Sequence, residues 1–223
     1  MSRELLITSS LVDGWGSEIV DEFTNFYLTV RDGQIIDLIN PSNYVNIIGT
    51  GISTSGIEIV NTTRSGSGIE VPSAAFNVTS LESSTVEFWV YFTNPIAELY
   101  DQMLGQWGSG ANSTFQFCVL DSYLAIAQAR PGNSISTFRR IPNTWMHVAY
   151  VNPAGGGNMV IYVNGVSEQL DRRWTVSPNL NIPMSLLKVY GQNGFSLLGR
   201  IAKMRISTIA RYTENFVPNY GMY

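Results

Sequence analysis

The chain has a single histidine, His147, inside the run "WMHVAYVNPAGGGNMVIYVNG" (145–165). One imidazole can act as a general base beside a nucleophile or as one ligand of a metal. Zinc sites take about four ligands, and no other His or Cys lies nearby in sequence to join it. A histidine-activated serine is commonly presented on a Gly-x-Ser-x-Gly turn, and no such turn is written here. Carboxylates are the other source of catalysis. Glycoside hydrolysis needs two of them about 5–9.5 Å apart, and same-face neighbours on a strand are two positions, about 6.6 Å, apart. None of the 17 acids has another acid two positions away. The nearest cluster, Glu18, Asp21 and Glu22, does not have that spacing. The "GGG" at 155–157 lacks both a following Lys-Ser/Thr and a following helix, so it is a turn rather than a phosphate cradle. His147 is therefore a hydrogen-bonded strand residue in this reading, and the chain is not an enzyme.

Binding without catalysis needs different groups. Sugars are held by an aromatic face plus planar polar side chains, because their C–H faces are apolar and their edges are hydroxyls. "LDRRWTV" (170–176) offers Asp171, Arg172 and Trp174 just after the "NG" at 164–165. "YGQNGF" (190–195) offers Tyr190, Gln192 and Asn193 in another turn. These six are the candidate ligand-binding residues. "QWGSGANS" (106–113) adds Trp107 and Asn112, with Trp107 read as core.

The elements that must carry these groups are strands. Helical periodicity is hard to find; short alternating runs bounded by Gly, Pro, Asn or Ser recur instead, the pattern of an antiparallel sandwich. "TVEFWVYFT" (85–93) sets Val86, Phe88, Val90 and Phe92 on one face and Thr85, Glu87, Trp89 and Tyr91 on the other. Hairpins are expected at Asp32–Gly33, at Asp121–Ser122 and at Asn164–Gly165. Further strands are "GIEIV" (56–60), "GIEV" (68–71), "MLGQW" (103–107), "TFQFCVL" (114–120), "YLAIAQA" (123–129), "SLLKVYG" (185–191) and "GRIAKMRIS" (199–207). "EIVDEFTNF" is ambiguous between a short helix and a strand. The Gly/Ser/Thr-rich "IGTGISTSG" (48–56) reads as a linker, which divides the chain into an N-terminal segment, 1–55, and one sandwich, 56–223.

Composition narrows the function. Hydrophobic residues make up 44% of the 223 and charged residues only 13%, where ordinary domains carry about a quarter charged. The surface must be built from Ser, Thr, Asn, Gly and Gln, as on exposed sheet faces or inside an assembly. The net charge is −4, and Lys188 and Lys203 are the only lysines, so nucleic-acid binding is not expected. Cys118 has no partner for a disulfide and sits in an apolar run as a small hydrophobe. No stretch has the length of a signal peptide or a membrane span, so cytoplasmic synthesis without Sec export and no membrane insertion are expected. The Asn-x-Ser/Thr sites at Asn61, Asn77 and Asn112 are then chance occurrences.

Five runs carry a resemblance: "SGSGIEVPSAAFNVTSLESSTVEFWVYF" (65–92), "LGQWGSGANSTFQF" (104–117), "WMHVAYV" (145–151), "VIYVNGV" (160–166) and "GRIAKMRISTIARYTENFVP" (199–218). In this order they resemble the laminin G-like branch of the concanavalin A-like lectin/glucanase superfamily, across about residues 56–218. The resemblance implies an all-β, two-sheet antiparallel jelly roll, with residues 1–55 as an anchoring or oligomerisation extension. His147 then takes the third place of the W-x-H-V-A strand that the family writes. The Glu-x-Asp-x-Glu pattern of the family's glucanases is absent. The final strand commonly has an Asp-Glu pair where this chain has Ala202 and Lys203, so the polar network those acids support is absent or rebuilt.

"ARYTENFVP" most resembles members found in virion proteins of tailed bacteriophages and in large bacterial surface proteins. The resulting expectation is a structural virion protein, as capsid decoration or tail fibre, whose partners are other virion proteins and copies of itself. The alternative is a carbohydrate-binding module for a host-surface glycan. No cofactor is implied. Relatives hold calcium at a sandwich rim, but calcium needs about six to eight oxygen ligands, and Asp101, Asp121 and Asp171 fall in separate predicted turns.

Overall fold

A computed structural model of the chain describes residues 20–56, 58–76, 82–93, 101–107, 114–129, 132–153, 155–175, 177–191 and 196–218. They form two antiparallel sheets packed face to face. The larger runs β14 (Val166–Arg173), β13 (Asn158–Val163), β12 (Trp145–Asn152), β7 (Ser84–Phe92), β16 (Gly199–Ser207), β1 (Thr24–Arg31) and β2 (Gln34–Asp37). A short hairpin, β4 (Gly51–Ile52) with β5 (Ile59–Asn61), joins it along the first residues of β16. The smaller sheet runs β11 (Ser134–Arg139), β10 (Tyr123–Gln128), β9 (Phe115–Leu120), β8 (Asp101–Gly105), β15 (Met184–Leu186), β6 (Gly68–Val71) and β3 (Asn46–Ile48). One 3-10 turn, Ser73–Phe76, is the helical element among the described residues. The expected all-β jelly-roll class is what the chain adopts.

The core follows from strand alternation. Val86, Phe88, Val90 and Phe92 of β7 point between the sheets, where Phe26, Leu28, Phe115, Phe117, Met146, Val148 and Tyr150 meet them. Each large side chain fully buried this way contributes roughly 1.5–3 kcal/mol. The three expected hairpin turns form with left-handed backbone at Asp32 and Gly33, at Asp121 and Ser122, and at Asn164 and Gly165, the signature of a type I′ connection.

Three expectations need correction. The boundary at residue 55 does not separate two bodies, because β1 pairs with β16 and β2, and β3 pairs with β6. Phe26 is fully buried between the sheets. Residues 24–55 therefore belong to the sandwich, and residues 1–19 lie outside the described part. The "linker" 48–56 holds β4, so its Gly/Ser/Thr content marks a tight edge hairpin rather than a junction. The strand over 185–191 ends at Leu186, where Leu187 takes φ 62. The sequence of β11, "SISTFR", gave no sign of its strand; it forms by pairing with β10.

Candidate functional site

The outward side chains of β7, Thr85, Glu87, Trp89 and Tyr91, run down the middle of the larger sheet's outer face. They meet two different environments.

At one end the face is polar and covered. Tyr27, Arg205, Glu87, Ala149 and Tyr162 lie in one cross-strand row through β1, β16, β7, β12 and β13. Arg205 reaches that row because β16 carries a bulge between Ala202 and Arg205, with Lys203 at φ 50. A bulge re-aims the residues after it, and here it turns Arg205 outward while Met204 stays in the core. The Glu87 carboxylate receives Arg205 Nε at 2.7 Å and Nη2 at 2.6 Å on Oε1. Its Oε2 accepts the Tyr212 hydroxyl at 2.6 Å and lies 3.2 Å from His147 Nε2. Burial opposes the charge on Glu87, but the His147 hydrogen bond and the Arg205 charge outweigh it and hold the carboxyl at about 2. The network that Ala202 and Lys203 leave without acids is thus rebuilt on Glu87.

The cover is the chain's closing segment, 209–218. The Thr85 hydroxyl donates to Ile209 O at 2.8 Å and accepts from Arg211 N at 2.9 Å. Arg211 forks onto Asp21 at 2.8 and 2.6 Å, and this pairing holds the Asp21 carboxyl well below the usual carboxylate range. Tyr212 stacks on Phe216 at 3.8 Å, and both rings lie against Tyr162 and His147. Phe216 N donates to Gly165 O at 3.0 Å. Gly165 is required twice: its φ is +81, and a Cβ there would stand 1.7 Å from Phe216 O. His147 is therefore 5% exposed, edge-on to Trp89 at 5.2 Å, and under a lid of two rings. As expected, it is a strand residue that orders structure.

At the other end the face is open. Gly51, Val60, Arg200, Tyr91 and Trp145 lie in register across β4, β5, β16, β7 and β12. The Arg200 guanidinium sits 5.2 Å over the Tyr91 ring, and Tyr91 lies 5.5 Å from Trp145 at 56°. Arg200 Nη1 also donates to Glu58 Oε2 at 3.3 Å. Arg200, Tyr91 and Trp145 are all half-buried, so each keeps part of its surface for solvent. Beside them a shallow groove of about 370 Å³ is lined by Gly51, Ile52, Ser53, Thr54, Val60, Thr62 and Arg200. Two tilted aromatic faces, a fixed guanidinium and a hydroxyl-lined trough suit a ligand with apolar faces and hydroxylated edges.

The described residues among those nominated from sequence do not build this site. Trp174 is 5% exposed and packs in the core on Phe115 at 4.7 Å and Phe117 at 5.6 Å. It is corrected from loop aromatic to core residue. Asp171 accepts from the Ser134 hydroxyl, and Arg172 Nε donates to Asn133 O at 2.9 Å. Together with Glu168, which takes three hydrogen bonds from Thr137, these contacts clip edge strand β14 to edge strand β11. Tyr190 is half-buried, with its N–H on Trp107 O at 3.0 Å. Gln192, Asn193 and Asn112 lie outside the described residues. Trp107 is half-buried against Cys118, Leu120, Ala125 and Ala127; burial raises the Cys118 thiol to about 12, so it is inert. Asn61 is 1% exposed and donates to Leu197 O at 2.8 Å, which leaves no room for a glycan on that sequon. Among the described residues, no three His, Cys, Asp or Glu side chains could hold a metal ion together.

The row Arg200–Tyr91–Trp145 was not found in the sequence. Its members come from strands far apart in the chain, and only their register brings them together. The trace that existed was Tyr91 on the amphipathic face of β7.

A family model described as concanavalin A-like lectin/glucanases superfamily, laminin G type, matches residues 63–215, more than half of the chain. No curated protein sequence matches. Many solved structures share the fold. The binding domain of Paraclostridial Mosquitocidal Protein 1 superposes with a TM-score of 0.69 at 16% identity, over 85% of this chain and 50% of that one. The receptor binding domain of botulinum neurotoxin C/D mosaic serotype gives 0.67 at 15%, over 86% and 49%. The botulinum neurotoxin serotype D ligand binding domain, in complex with N-acetylneuraminic acid, gives 0.67 at 16%, over 85% and 48%. The chain thus spans about half the length of each of these domains, and the likeness is one of fold.

Proposed function

This chain belongs to the concanavalin A-like lectin/glucanases superfamily, and from that premise we propose that it is a non-catalytic module that holds a saccharide on the open end of its larger sheet. The observation that carries the proposal is the in-register row Arg200–Tyr91–Trp145 beside the Gly51–Thr62 groove. Catalysis finds no support there. Glu58, the carboxylate beside the groove, is paired with Arg200, and Glu87 is saturated beneath the closing segment. The sugar in one similar toxin domain adds support to the class of ligand and none to its position. A glycan array probed with the full chain tests the proposal. Binding to one glycan class, unchanged by a chelator, is expected; a silent array from folded protein would contradict it.

A second reading concerns where the module works. We propose a structural part of a tailed-bacteriophage particle, as capsid decoration or tail fibre. Its support is the closing "ARYTENFVP", the low charge of the surface, and exposed apolar residues such as Tyr44 and Ile47 beside and on edge strand β3. Edge strands with such residues readily take protein neighbours, and symmetric homo-oligomers follow. Light scattering of the purified chain checks this: a defined oligomer is expected, and a strict monomer at every concentration would count against it.

A further inference from the structure

The open row is asymmetric in charge. Arg200 is the one charged side chain that lines the groove of about 370 Å³, and no carboxylate lines it. Its acidic partner is withdrawn from solvent: the Glu58 side chain is 9% exposed, against 39% for Arg200. One hydrogen bond joins the two, from Nη1 to Glu58 Oε2 at 3.3 Å. Charge-assisted contacts of this kind run to about 2.7–2.9 Å, so the bond is a loose one. Of the other guanidinium nitrogens, Nε is buried, while Nη2 faces solvent with no hydrogen-bond partner among the described residues. The Tyr91 ring, 5.2 Å beneath, holds the guanidinium in place. On the far side of Tyr91, Trp145 offers its indole at 5.5 Å. Exposed Thr54 and Thr62 bring hydroxyls to the same groove.

Building on the saccharide reading of this row, we propose that the bound saccharide is acidic, with a carboxylate or sulfate on Arg200 Nη2 and a sugar ring on Trp145. A planar guanidinium can serve two acids along different edges. An acid arriving at Nη2 shares the cation with Glu58 and makes the short, charge-assisted contact that Glu58 does not. A neutral sugar gains only the aromatic and hydroxyl contacts.

The test is an array, probed with the full chain, that pairs carboxylated and sulfated glycans with the same chains methyl-esterified or lacking the sulfate. Acidic members are expected to bind about tenfold or more tightly than their neutral counterparts. The two acidic arms show which anion is preferred. Arg200→Gln should lower the acidic glycans to the level of the neutral ones, and Trp145→Ala should lose both. Glu58→Gln should tighten the acidic members, because a competing carboxylate is gone. Equal binding of acidic and neutral members, or an acidic preference that survives in folded Arg200→Gln, overturns the proposal and leaves the saccharide reading intact. A silent array from folded protein removes that reading and this proposal with it. If a variant fails to fold, the comparison of acid with ester on the wild type still decides.

Discussion

The two ends of β7's outer face are built from similar material and end up in opposite states. Both combine an arginine from β16 with aromatic side chains in cross-strand register. At Glu87 the closing segment lays Tyr212 and Phe216 over the row, and every charge finds a partner. At Tyr91 nothing described covers the row, and Arg200 rests on an aromatic face with one weaker carboxylate contact. The difference teaches that cover, more than composition, separates a structural network from a binding surface. A histidine beside a glutamate looks like chemistry in a list of residues, but beneath two rings it can only order the fold.

Breaking the covered end should cost stability and leave ligand binding intact. Glu87→Ala removes the acceptor for Arg205, His147 and Tyr212 and leaves a buried cation unpaired. A loss of about 3–5 kcal/mol is expected in denaturant titration. Acid should act on the same group. The Glu87 carboxyl titrates at about 2 in the folded chain against an ordinary 4.5. Its contribution, on the order of 3 kcal/mol, is therefore complete above pH 4.5 and is lost as pH falls toward 2. Unfolding curves for wild type and Glu87→Gln should converge over that window. A stability difference that stays constant down to pH 2 would separate Glu87 from the network.

Smaller changes sharpen the comparison. Gly165→Ala forces a left-handed backbone on a residue with a Cβ and drives that Cβ into Phe216 O. A loss of about 2–3 kcal/mol is expected by thermal unfolding, with new protease cleavage in the closing segment. Tyr212→Phe keeps the ring stack and deletes one hydrogen bond to a carboxylate, for about 1.5 kcal/mol. At the open end Trp145→Ala should cost least, about 1 kcal/mol, because the ring is half-exposed.

The sandwich was legible in the sequence where its cause is local. Asp32–Gly33, Asp121–Ser122 and Asn164–Gly165 announce their turns because few residue pairs accept left-handed backbone cheaply. The alternation in β7 announces both the core and the face that carries the site. What could not be read depends on partners distant in the chain. β1 looks like a separate segment until it pairs with β16. Trp174, in a polar loop-like stretch, is drawn inward by Phe115 and Phe117. The open row needs the register of five strands at once. The bulge at Lys203 could be anticipated only as a departure from the family's pattern, with no hint that Glu87 would inherit the polar network.

The central claim is that the open row binds and the covered row supports. One measurement addresses it directly: glycan binding by wild type, Trp145→Ala and Tyr212→Phe, each confirmed folded by circular dichroism. The account predicts that Trp145→Ala abolishes binding and that Tyr212→Phe binds normally, although Tyr212→Phe loses at least as much stability. Undiminished binding by Trp145→Ala would contradict it.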